Sequence, residues 1–118
     1  MGYSLAFWKY EDGVYLDNQS VYENTIAEEQ LIEGLQTLPV NEIREKFKAD
    51  FSDWDWLDED NFEHESRGAV QIYITEQAVQ LDCYSVSQDD MNKLIDVMLA
   101  FDCPLYDPQI AIRFDGVS

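Results

Sequence analysis

The sequence predicts a single α+β domain, residues 1–118, built as an antiparallel β-sheet with helices packed against it. Three observations lead there. The chain has 118 residues, 46% hydrophobic and 14% aromatic, enough apolar side chain to fill one core. Apolar residues alternate at period two in some segments and recur at helical spacing in others. The order of those segments is strand, helices, hairpin, helix, strand, which is the order of an α+β domain.

Each element has its own local reason. In residues 3–10, Leu5 and Phe7 alternate with Ala6 and Trp8, so a first strand is predicted with both faces covered. Asp12-Gly13 is a turn dipeptide, after which Val14-Tyr15-Leu16 is expected to return as a short second strand. Residues 18–30 predict a helix capped by Asn18 or Ser20, with Val21, Tyr22, Thr25 and Ile26 on its apolar side. Several of these are poor helix formers. Gly34 and Pro39 punctuate the chain before a clearer helix over 40–51, where Val40, Ile43, Phe47 and Phe51 recur at helical spacing. Within it Glu42 stands four residues before Lys46, the spacing of a helical ion pair.

Further on, Val70, Ile72 and Ile74, then Val79, Leu81 and Cys83, alternate with polar residues about a turn at Glu76-Gln77, predicting an antiparallel hairpin over 69–84. Ser87 with Asp90 resembles a capping box with Asp in place of Glu. The stripe Met91, Leu94, Ile95, Met98, Leu99 and Phe101 predicts a helix that ends near Asp102 or Cys103, because Pro104 stops it. Residues 104–108 read as a rigid connection. Ile110, Ile112 and Phe114 then alternate with Ala111 and Arg113 in a last short strand.

Charge dominates the functional reading. The chain carries 25 Asp and Glu against 7 Lys and Arg, a formal net charge of −18. Eight of those carboxylates fall in residues 50–65: Asp50, Asp53, Asp55, Asp58, Glu59, Asp60, Glu63 and Glu65. That stretch has no Lys or Arg, and it interleaves Phe51, Trp54, Trp56, Leu57 and Phe62. Disordered acidic tails are poor in aromatics, so this is not simply a solvating tail. Carboxylates held so closely repel one another, most strongly at low salt, and a cationic partner relieves that cost. The same charge excludes direct binding to nucleic acid or anionic lipid, which needs clustered Lys and Arg.

Other chemistries find little footing. His64 is the only histidine, and no nucleophile or zinc motif accompanies it, so no catalytic residue is assigned. A calcium loop starting at Asp53 would put Asp58 where glycine is needed and His64 where glutamate is needed, so no metal ligand is assigned and no cofactor is expected. Two cysteines, Cys83 and Cys103, lack zinc spacing and are expected as reduced, buried apolar residues. Residues 1–9 have neither the basic region nor the apolar run of a signal peptide, and Ala6 departs from a myristoylation signal. A cytoplasmic location is therefore expected.

Two readings of the acidic stretch remain. In one it is a solvated loop whose tryptophans fold back onto the core. In the other it is a partner-binding surface of Asp53, Trp54, Asp55, Trp56, Asp58, Glu59, Asp60 and Glu63, with Trp54 or Trp56 as central anchors and the carboxylates engaging Arg and Lys.

Four segments, 3–9 (YSLAFWK), 81–84 (LDCY), 90–92 (DMN) and 103–109 (CPLYDPQ), resemble a small family of bacterial proteins, and they imply no chemistry. In size, acidity and lack of a catalytic motif the chain also resembles the immunity proteins of bacterial contact-dependent inhibition and other polymorphic toxin systems. That resemblance implies a non-enzymatic cytoplasmic protein that binds and neutralises a cognate toxin domain, often a basic nuclease. It carries over no binding residue. The alternatives are a nucleic-acid-mimicking adaptor of a host protein and a small carboxylate- or cation-dependent enzyme.

Overall fold

The computed structural model describes residues 2–114. In chain order they form strand β1 (Gly2–Trp8), helix α1 (Asn18–Tyr22) continuing into a π-helical turn (Glu23–Ala27), helix α2 (Val40–Asp50), strands β2 (Asp55–Trp56), β3 (Asn61–His64), β4 (Gly68–Ile74) and β5 (Ala78–Tyr84), helix α3 (Gln88–Leu99), and strands β6 (Leu105–Asp107) and β7 (Ile112–Arg113). Among the described residues the strands make one antiparallel sheet in the order β2-β3-β4-β5-β1-β6-β7. The architecture is α+β.

Strand alternation divides the core between the two faces of this sheet. On the inner face Leu5, Phe7, Val70, Ile72, Val79, Leu81 and Cys83 pack against Ile43, Phe47 and Phe51 of the α2 segment and Leu94, Val97 and Met98 of α3. On the outer face Ala6, Trp8, Ala78 and Tyr106 pack under Val21 and Leu35. Helix α1 and its π-helical turn thus cover the Trp8 end of the outer face. The opposite end, toward Gly2 and Tyr84, is left to solvent.

The 69–84 hairpin, the two long helices and the Ser87 cap agree with the sequence reading. Four local expectations do not. Residues 14–16 form no return strand, because Tyr10 bridges to Leu35 and backbone bonds from Glu11 to Gly34 and from Gln36 to Lys9 occupy the edge that they would need. Helix α1 is capped by Asp17 rather than Asn18 or Ser20, and it gives way to the π-helical turn where the Thr25 hydroxyl donates to the Val21 carbonyl at 2.7 Å. Lys46 pairs with Asp50 at 3.1 Å, not with Glu42.

The C-terminal end differs most. The supposed rigid connection contains β6, and α3 stops at Leu99, before the expected Asp102. Of the expected last strand only Ile112–Arg113 forms, and Ile110, Ile112 and Phe114 are exposed while Arg113 is buried. The Arg113 guanidinium lies 4.7 Å from the Tyr10 ring centre and 5.6 Å from that of Trp8, and it donates to the Trp8 carbonyl at 2.9 Å. The two rings and the carbonyl bond offset the cost of burying this cation. Cys83 and Cys103 are free and buried. Burial pushes their thiols up to about 12 and about 11. Among the described residues no helix is long and apolar enough to cross a membrane.

Candidate protein-binding surface

The acidic stretch is ordered by its own aromatics. After α2, Phe51 is buried, and the chain turns through 52–54 to start the two short strands β2 and β3. Trp54 is 3% exposed and sits edge-on to Phe51, Phe62 and His64 at 5.5–5.7 Å. Trp56 stacks on Phe62 at 4.3 Å and donates its indole N–H to the Phe51 carbonyl. Trp54 therefore belongs to the core, which corrects its expected role as a central anchor. Trp56 is half-buried in the same cluster, with Lys48 5.8 Å from its ring centre. In this respect the folded-back reading of the tryptophans holds.

The carboxylates separate into two groups. Asp50, Asp53 and Asp60 are held by Lys46, Arg67 and Arg44 in ion pairs. Arg67 also clamps the buried Asp90 through Nε and Nη2 and lies 5.2 Å from the Trp54 ring centre. It joins the β3–β4 turn to the start of α3. This partner holds the Asp90 carboxyl below the usual carboxylate range, with the Ser87 hydroxyl adding to it. Asp53 and Asp60, expected as partner contacts, are thus already engaged inside the fold.

Asp55, Asp58, Glu59, Glu63 and Glu65 form no ion pair among the described residues. Asp58 accepts from the Asp60 backbone N–H and the Asn61 side chain, and these bonds lower its carboxyl pKa while closing the β2–β3 turn. Asp55 stands directly opposite Glu63 in the strand register. The row continues across the open outer face as Glu63, Ala69, Tyr84 and Gly2, and the next row is Asn61, Gln71, Asp82 and Ser4. No Lys or Arg occurs in either row. Arg44 and Lys48 instead meet the hairpin from the helix side, at Asp60 and the Trp56 ring, while Lys46 pairs with Asp50, Arg67 with Asp53 and Asp90, and Lys93 lies over the Phe51 ring.

Between the rows lies a shallow depression of about 110 Å³ lined by Leu57, Glu63, Ala69, Gln71 and Tyr84. Leu57 is 64% exposed and Tyr84 46%. The open face thus combines an apolar centre with uncompensated carboxylates. Leu57 and Tyr84 were missed as site residues because each is a lone apolar residue whose neighbours become visible only once the register is known.

The remaining chemistry is sparse. His64 Nδ1 lies 3.2 Å from the Ser66 backbone N–H, and its ring packs on Trp54. Among the described residues no group of three or more His, Cys, Asp and Glu is placed to hold a metal ion. No family model, no curated protein and no solved structure matches the chain.

Proposed function

We propose that the chain is an immunity-type inhibitor, a non-enzymatic protein that binds a basic toxin domain in the cytoplasm of the producing cell. Asp55, Asp58, Glu59 and Glu63 on the β2–β3 hairpin meet the toxin's Lys and Arg, and Leu57 and Tyr84 supply apolar contact. A nuclease suits this role best, because its substrate groove is built to neutralise phosphates. Inhibition follows from occupying that groove.

The observation that carries the reading is the Asp55–Glu63 opposition with no Lys or Arg in its cross-strand row or in the next. Like charges directly opposite in a sheet are destabilising. The fold pairs Asp50, Asp53 and Asp60 internally and leaves Asp55 and Glu63 without an ion pair, so a partner's Lys or Arg would find them available. Such charges set association rate and selectivity more than raw affinity.

The test uses a toxin domain encoded beside this chain and measures association rate against ionic strength. Reversing Asp55, Asp58 and Glu59 to Lys together is expected to slow association at least about tenfold at low salt, with the difference shrinking as salt rises. An unchanged association rate would remove the hairpin from the interface.

A further inference from the structure

Seven strands about 4.8 Å apart span about 29 Å, whereas two helices packed about 10 Å apart cover about 20 Å. Helices α2 and α3 are the only long helices over the inner face of this sheet among the described residues. They sit over its middle and its β2 side, so the β1–β6–β7 end lacks a helix. The result is an apolar groove of about 460 Å³ along α3, floored by Leu5 and Leu105 and walled by Met91, Ile95, Leu99 and Phe114. Leu99 is 48% exposed and Phe114 54%, and the neighbouring Ile110 and Ile112 are also exposed. Exposed apolar side chains concentrated this way mark interaction surfaces rather than ordinary scatter.

We propose that this groove is a docking site for an amphipathic helix of a protein partner, with an apolar stripe flanked by Lys or Arg. The groove runs beside the 12 residues of α3, a length of about 18 Å, which one partner helix of about three turns matches. Charge selects the occupant. Residues 88, 92, 95 and 99 of α3 face the groove, and Asp89 and Asp96 follow on the solvent side of that stripe, both exposed. Asp107 lies at the floor, where Tyr3 and Gln109 donate to it. Among the described residues no Lys or Arg lines the groove, and Lys93 of α3 turns away to lie 4.8 Å from the Phe51 ring centre. A second copy of the chain would bring another −18 to the same edge, whereas a basic-flanked helix meets Asp89 and Asp96. This surface lies at the other side of the sheet from the β2–β3 hairpin, so it stands or falls separately from the proposed function.

The test is an NMR titration of the full chain with two synthetic helical peptides of about 14 residues. They share a Leu stripe at helical spacing and differ only in flanks of Lys or of Glu. The Lys-flanked peptide is expected to bind at least tenfold more tightly and to shift the methyls of Leu5, Ile95, Leu99 and Leu105. Leu99→Asn and Asp96→Lys, both at exposed positions, should each weaken it several-fold, whereas Asp55→Lys on the hairpin should leave it unchanged. Equal binding of the two peptides, shifts confined to the hairpin, or no binding would overturn the proposal. So would self-association in sedimentation that Leu99→Asn abolishes, since a second copy would then be the occupant.

Discussion

Reversing the charge of Glu63 tests whether the hairpin surface is held against a physical cost. Glu63 and Asp55 are register partners, so their Cβ atoms stand about 5 Å apart. Carboxylates about 6 Å apart in a water-like dielectric repel by about 0.7 kcal/mol, and about half of that survives screening at physiological salt. Glu63→Lys replaces this repulsion by an attraction of similar size. The fold should therefore gain about 1.4 kcal/mol at low salt and about 0.7 kcal/mol at physiological salt. For a chain of this length each kcal/mol raises the melting temperature by about 4 °C, so the gain is about 6 °C and about 3 °C respectively. Glu63→Gln, which removes the repulsion alone, should give half of each. The assay is thermal unfolding followed by tryptophan emission at the two ionic strengths. Glu33→Lys, exposed and remote from the hairpin, serves as the control for net charge. A Glu63→Lys variant no more stable than that control, or one whose gain ignores salt, would refute the cross-strand repulsion on which the functional reading rests.

Three further outcomes follow from the same structure. Gly68 has φ +110°, and a Cβ placed there would come within 2.4 Å of the Tyr84 carbonyl oxygen, so Gly68→Ala should cost at least about 2 kcal/mol of stability in urea unfolding or prevent folding. Arg67 depresses the Asp90 carboxyl, so Asp90 contributes stability that is present above its unfolded pKa, about 3.9, and lost as pH falls through the lower folded value. In Arg67→Met that contribution disappears, and acid unfolding monitored by tryptophan emission should begin at higher pH; an unshifted acid midpoint would mean that the clamp contributes nothing. The thiols of Cys83 and Cys103, pushed up to about 12 and about 11, should resist a disulfide reagent at pH 8 in the folded protein and both react after denaturation, and fast reaction in native buffer would contradict their burial.

Where one face of an element is buried, the sequence spoke clearly. Val70, Ile72, Val79 and Leu81 alternate because α2 and α3 cover one side, and Leu94 and Met98 recur at helical spacing for the same reason. Residues 14–16 share the alternation, but competition for the β1 edge was decided by Leu35, a residue distant in sequence. Arg113 reads as an outward residue until Trp8 and Tyr10 come together beneath it. The acidic stretch was legible as charge but not as geometry. Which carboxylates find cations depends on where α2 places Arg44 and Lys46 and where the β3–β4 turn places Arg67. Its tryptophans read equally as anchors or as core, and the aromatic cluster around Phe51 and Phe62 settles Trp54 as core. The groove along α3 left no local mark, since it arises from the mismatch between sheet width and helix cover.

The most direct test of the binding claim is a paired capture from lysate of the source organism at low salt. One bait is the native chain, and the other is the chain with Asp55, Asp58 and Glu59 reversed to Lys. One basic protein is expected near stoichiometry on the native bait, released by high salt and missing from the reversed bait. Equal recovery on both baits, or no basic protein on the native bait from a lysate shown to contain one, would contradict it.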